Sequence, residues 1–196
     1  MDLYEGIILS ISTGLLLASQ VVYITNTAKK KIEPNVLSWV GWSMLMAASM
    51  LSQIVEEGWD VRHLGVCLSS LGCFLVVVTA LLKRNFVLER NDWWFLALGM
   101  ACFVVYLSTK DPILTTTFAI LADFVLGVPT IKKAIYFPAK ERSWAWRIGT
   151  ISWGVHLLLG WQTGWLPMIF PVYLFVWSVM MVLLTRKSRV LALEKN

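Results

Sequence analysis

Charged side chains are distributed along this chain so that long stretches hold none. Residues 6–28, 35–55, 64–82 and 93–109 carry no Asp, Glu, Lys or Arg over 23, 21, 19 and 17 residues. Residues 112–131 carry one, Asp123, and residues 148–185 run for 38 residues without any. A helix needs about 20 mostly apolar residues to cross the ~30 Å hydrocarbon core of a bilayer, so each of the first five runs is a predicted span. The sixth is too long for one crossing. Within it Gly160-Trp161-Gln162-Thr163-Gly164-Trp165-Leu166-Pro167 offers a turn with interfacial tryptophans, which divides it into two spans. Seven helices of ~20 residues occupy most of the 196 residues and leave no room for a soluble domain. Composition agrees: 15% of the residues are charged, against about 25% in soluble domains.

The first run is not read as a cleaved signal peptide. Asp2 and Glu5 precede it where a basic segment would be needed, and its apolar stretch is too long. Its positive charges follow it, at Lys29, Lys30 and Lys31. With the amino terminus outside and the spans alternating, 15 of the 17 Lys and Arg residues fall on the inner side, and only Arg62 and Lys110 fall outside. Asp2, Glu5, Glu56, Glu57, Asp60 and Asp111 gather on the outer side. The positive-inside rule therefore predicts a multi-pass cell-membrane protein with an outside amino terminus and a cytoplasmic carboxyl terminus. The net charge of +5 is accounted for by that inner face and the lipid bilayer it meets, not by nucleic acid. Trp59, Trp161 and Trp165 at outer boundaries and Trp39, Trp93, Trp94 and Trp144 at inner ones read as an aromatic belt. Cys67, Cys73 and Cys102 form no CxxC pair and read as small buried hydrophobes.

An internal repeat is visible in the order of features. The first helix passes Ser19-Gln20, reaches Lys29-Lys30-Lys31 and Pro34, and the chain re-enters at Ser38-Trp39 and Trp42. The fifth passes Pro129-Thr130, reaches Lys132-Lys133 and Pro138, and the chain re-enters at Ser143-Trp144 and Trp146. Helices 1–3 and 5–7 would then be two parallel copies joined by helix 4, with boundaries at 1–83, 84–110 and 111–196. On these features the chain resembles the SWEET and PQ-loop (MtN3-like) transporter superfamily, as a divergent bacterial-type member. The resemblance implies an all-α membrane protein of seven transmembrane helices in a 3+1+3 arrangement of parallel triple-helix-bundle repeats. The superfamily's Pro-Gln pair is half kept in each copy, as Ser19-Gln20 and Pro129-Thr130. An Asn found on the third helix of each repeat in sugar-transporting members is absent from both corresponding spans.

Asp123 is the one formal charge inside a predicted span. It lies 11 residues from Pro112, or ~16 Å deep at ~1.5 Å per residue, where a carboxylate costs at least ~2.5 kcal/mol. It should face the bundle interior, either as a proton- or cation-binding group or as a structural lock between helices. Thr116, Ala119, Asp123 and Gly127 share one helical face, as do Gly149, Ser152, His156 and Gly160 with Trp153 beside them, and helix 1 offers Ser12, Ser19, Tyr23 and Asn26. These stripes read either as close-packing surfaces or as a polar path between helices 1, 5 and 6. Pro129 removes a backbone donor beyond Asp123 and reads as a gating hinge or a static kink, with Gln20 at the matching position.

Hydrolytic chemistry has no sequence support, since the chain contains neither Gly-x-Ser-x-Gly nor His-Glu-x-x-His. A retinal Schiff base is excluded because the seventh span has no lysine, and Lys132 and Lys133 read as phosphate-facing anchors. The expectation is a non-enzymatic transporter of a small polar solute by alternating access, passive or proton-coupled, with no cofactor or metal and with homo-oligomerisation left open. The alternative is a non-transporting membrane receptor or assembly factor on the same fold.

Overall fold

The computed structural model describes residues 3–59, 64–109, 111–159 and 165–186. These form seven α-helices and no strands: α1 (Leu3–Ala28), α2 (Val36–Glu57), α3 (Leu64–Leu82), α4 (Asp92–Ser108), α5 (Pro112–Tyr136), α6 (Trp144–His156) and α7 (Trp165–Arg186). Short 3-10 turns at Pro138–Lys140 and Leu157–Leu159 flank α6. The charge-free runs thus locate the helices, and α3 has the predicted bounds. Four helices, α1, α3, α5 and the Met168–Arg186 part of α7, are long and apolar enough to cross a membrane. The α2 segment Val36–Ser52 and α4 are shorter apolar helices. The 13 residues of α6 reach only ~20 Å, less than a crossing. The predicted turn at Gly160–Gly164 and the charges at Asp2, Asp60, Arg62, Lys110, Lys187, Arg189 and Lys195 lie outside the described residues, as does Trp161.

The helix ends follow from local chemistry. Asn35 caps α2 by accepting from the Ser38 amide at 3.1 Å, and Ser143 caps α6 by accepting from the Ala145 amide at 3.1 Å. Asp111 accepts from the amides of Ile113 and Leu114, and Pro112 fills the first turn of α5, where a missing donor costs nothing. α1 and α3 both stop in the same way. Lys30 and Arg84 take left-handed backbone (φ 55 and 46), and the next amides, of Lys31 and Asn85, reach back to Asn26 and Ala80. α5 stays helical through Pro129 and continues five residues past its predicted end, where Lys132 and Lys133 find partners beside the helix.

α3 packs against both α1 and α2, and α7 packs against both α5 and α6. The two sets meet where α1 packs on α6 and α2 on α5, and α4 lies against α5 and α2. The α1–α2, α3–α4 and α5–α6 connections share one end, called the inner end after the side the charge pattern predicts for it. There the Glu33 amide donates to the Lys140 carbonyl at 2.9 Å, the Val87 amide donates to the Pro34 carbonyl at 2.9 Å, and Asn85 Nδ2 donates to the carbonyls of Thr27 and Ile32. α1, α3 and α5 therefore run in parallel.

The outside of the bundle is apolar. Val21, Phe74, Val104, Ile151, Val176 and Leu183 are all exposed, as expected of a surface that meets lipid. Trp59, Trp93, Trp94 and Trp144 are exposed near helix ends, in keeping with a belt. Trp39 departs from that expectation. It is buried with Trp42 in the core, so the aromatic re-entry segment of α2 packs inward while Trp144, the first residue of α6, stacks under Arg147 on the surface. Among the cysteines Cys73 is buried, whereas Cys67 and Cys102 are half-buried, and all three are free.

Candidate functional site

A cavity of about 380 Å³ lies within the bundle. Its walls come from all seven helices, and from only one half of each. They are the early turns of α1, α3, α5 and α7 and the late turns of α2, α4 and α6. It therefore occupies the half away from the shared inner connections. The sequence reading expected a path between helices 1, 5 and 6 alone. The wider enclosure arises because α3 and α7, packed against both other helices of their sets, close the sides.

Six of the nine binding residues named from the sequence line this cavity: Asp123, His156, Ser152, Trp153, Thr116 and Ser12. Asp123 is buried (3% exposed) and its Oδ2 accepts a hydrogen bond from the Tyr173 hydroxyl at 2.7 Å. Its backbone carbonyl accepts from Trp42 Nε1 at 3.1 Å, which ties α2 to this turn of α5. Ser152 donates to the Ser12 carbonyl at 2.7 Å and joins α6 to α1. Trp153 and His156 pack edge to face, 5.7 Å apart. Thr116 lines the wall while its hydroxyl bonds back to the Pro112 carbonyl. Asp123 is the one acidic or basic side chain besides His156 among the described residues of the wall.

The other three, Ser19, Tyr23 and Asn26, lie below the cavity on the inner half of α1. Ser19 donates to the Ala145 carbonyl, Asn26 to Ser143, and Tyr23 to Glu141 Oε1 at 2.7 Å. They hold α1 against the start of α6 and do not face the space that Asp123 faces. The stripe had the right helical period but ran past the point where the cavity ends.

That point is a layer of rings. Trp146, Tyr23, Trp39, Trp42 and Trp177 follow one another with centroids 4.4–5.9 Å apart, crossing from α6 through α1 and α2 to α7. Gly127 makes room for it, since a Cβ there would collide with the Trp177 ring. Below the rings Lys133 forms an ion pair with the fully buried Glu141 and also donates to the Glu33 carbonyl. Glu141 Oε1 accepts from Tyr23 and, at 3.2 Å, from Trp146 Nε1. Around this centre Lys132 pairs with Glu89 at 3.3 Å and Lys140 with Glu33 at 2.8 Å. Lys133 is thus no membrane-surface anchor: it is a buried partner, placed by the extension of α5.

The two residues expected to act as hinges lie on α5 and α1. Pro129 lies in an unbroken α5 beside a second cavity of about 140 Å³ at the inner end. Gln20 donates from Nε2 to the Ser69 carbonyl at 3.0 Å, and its amide packs where a Cβ on Gly72 would have to be. Gln20 Oε1 and Thr130 Oγ1 are buried without a hydrogen-bond partner among the described residues. Comparisons with protein-family models, with curated proteins and with solved structures find no match.

Several participants were missed in the sequence. Tyr173 and Pro171 on α7, Phe170 beside them, and Tyr106 bonded to Ser49 across α4 and α2 all belong to the cavity or its Asp. Tyr173 had a weak signal: it is the sole tyrosine in a span otherwise poor in hydrogen-bonding groups. Glu141 had none, because an acidic residue in a basic loop reads as solvated. No group of three His, Cys, Asp or Glu side chains able to hold a metal occurs among the described residues.

Proposed function

We propose that this protein is a membrane transporter that moves a small polar solute by alternating access, built on two parallel three-helix repeats in a SWEET-like 3+1+3 arrangement. The observation that carries the reading is a buried carboxylate facing a cavity in a half-sealed bundle. Asp123 stands at the floor of a roughly 380 Å³ space, and the ring layer with the Lys133–Glu141 pair closes the way below it. Cavities of this size suit small ligands, and an ionisable group at such depth is expensive unless it is used.

The helix contacts support the repeat. Exchanging α1, α2 and α3 for α5, α6 and α7 turns the α1–α3 contact into α5–α7, α2–α3 into α6–α7, and α1–α6 into α5–α2, and all of these pairs are observed. Such a pair of similar units can rock about the site between them. In the state described, the cavity belongs to the end that carries the amino terminus. We assign that end to the outside of a cell membrane, because Lys29, Lys30, Lys31, Lys83, Arg84 and Arg90 are exposed at the other end. Opening inward requires the Tyr23–Glu141 and Lys133–Glu33 contacts to part, since these join the two sets across the inner end. Asp123 takes up a proton or a cationic group of the solute, Ser152, Trp153 and His156 line its path, and Pro129 lets the inner half of α5 swing.

Flux into proteoliposomes tests the proposal. A transporter takes up solute, and Asp123→Asn removes pH-driven uptake while sparing exchange of solute down its own gradient. A protein that binds solute but never moves it, or an Asp123→Asn variant that fails to fold while transport per folded molecule survives, overturns it.

A further inference from the structure

The cavity also constrains the charge of its ligand. Asp123 Oδ2 has one neutral donor, the Tyr173 hydroxyl at 2.7 Å. Among the described residues no lysine or arginine belongs to the wall, and the inner lysines Lys132, Lys133 and Lys140 are each paired elsewhere with an acidic side chain. The remaining described wall supplies hydroxyls, aliphatic side chains, the His156 imidazole and the rings of Trp153, Tyr106 and Phe170. An anion would meet the Asp123 carboxylate and find one basic group among the described wall residues, His156, which packs against Trp153 on α6. A neutral polyol would leave the ionised carboxylate without a counter-charge. A cation would satisfy it, and ring faces attract cations when water is excluded.

We infer that the cavity binds a small organic monocation, an ammonium on an apolar body, with the charged group at Asp123 and the body against Trp153. This rests on the reading of the cavity as the solute site, and it narrows the solute to one charge class. Asp123 then exchanges between a proton and the ligand's ammonium, so that the two compete for one carboxylate.

Three probes of nearly equal shape separate charge from fit: cyclohexylmethylammonium, cyclohexylmethanol and cyclohexanecarboxylate. Their binding is measured by calorimetry on the full chain in phosphatidylcholine nanodiscs, against empty nanodiscs. The ammonium should bind at least tenfold more tightly than the other two, and Asp123→Asn should weaken it roughly 30-fold or more, towards the alcohol's affinity. Trp153→Leu, which keeps the carboxylate and is an independent check if Asp123→Asn does not fold, should weaken the ammonium about two- to tenfold with less effect on the alcohol. Equal or tighter binding of the alcohol or carboxylate, an ammonium preference that survives Asp123→Asn, or no binding of any probe overturns the inference. Flux of the same probes separates the two proposals. An ammonium that binds and is not carried ends the transport reading and leaves the cation site standing. Uptake of the alcohol without charge preference ends the cation site and leaves transport standing.

Discussion

The two halves of this bundle bury charge for opposite ends. In the inner half Lys133 and Glu141 are buried against each other, and Tyr23, Trp146 and the Glu33 carbonyl complete their shells. In the outer half Asp123 is just as buried, with one tyrosine hydroxyl and an open space in front of it. A charge whose partners are built in is structural, and removing one partner strands the other. A charge left facing a cavity is available to something that comes and goes. The halves also differ in packing: rings and close glycine contacts fill the layer between them, and the outer half keeps the larger volume, about 380 Å³ against about 140 Å³ at the inner end.

The largest expected effect sets these two charges against each other. Glu141→Ala should destabilise the protein by about 3–5 kcal/mol, because it leaves the Lys133 ammonium buried and unpaired. Asp123→Asn should leave thermal stability unchanged or raise it, since a neutral amide still accepts from Tyr173 and needs no counter-charge. Combining Lys133→Met with Glu141→Gln should recover most of the loss, because Gln still accepts from Tyr23 and Trp146. Unfolding of the three variants in one detergent checks all of this, and equal losses for Glu141→Ala and Asp123→Asn would erase the distinction.

A smaller effect tests the ring layer. Gly127→Ala should cost about 1–3 kcal/mol through overpacking against Trp177, whereas Gly149→Ala, whose Cβ would meet Ser19 at an ordinary 3.5 Å, should be nearly neutral. Thermal unfolding reads the difference. The smallest effect is expected at the cavity wall: Ser152→Ala removes the bond to the Ser12 carbonyl and should cost about 0.6 kcal/mol, a typical value for helix–helix hydrogen bonds in membranes.

The sequence was most informative where a single physical rule acts over many residues. Exclusion of charge from the bilayer core marks the helices, and the asymmetry of lysine and arginine marks one end. Asp123 stood out for the same reason, as an exception to a strong rule. Helical spacing alone misled at Ser19, Tyr23 and Asn26, because the period gives the face of α1 but not the depth at which the rings close the cavity. Lys133 was misread because its partner Glu141 comes eight residues later, after α5 has ended and the chain has turned. Trp39 matches an interfacial anchor in position, but it is buried because the Tyr23 ring of α1 and the Trp42 ring pack against it.

The central proposal, that the cavity is reached from the amino-terminal side and closed from the other, can be tested by thiol labelling. With Cys67, Cys73 and Cys102 replaced by alanine, single cysteines at Ala119 in the cavity wall and at Thr27 in the buried inner layer are exposed to an impermeant maleimide in vesicles of each orientation. The account predicts that Ala119→Cys reacts faster from the amino-terminal side. It predicts that Thr27→Cys is protected from both sides, and that Glu141→Ala raises the reactivity of both cysteines from the carboxyl-terminal side. Faster labelling of Ala119→Cys from the carboxyl-terminal side with Glu141 intact would contradict it.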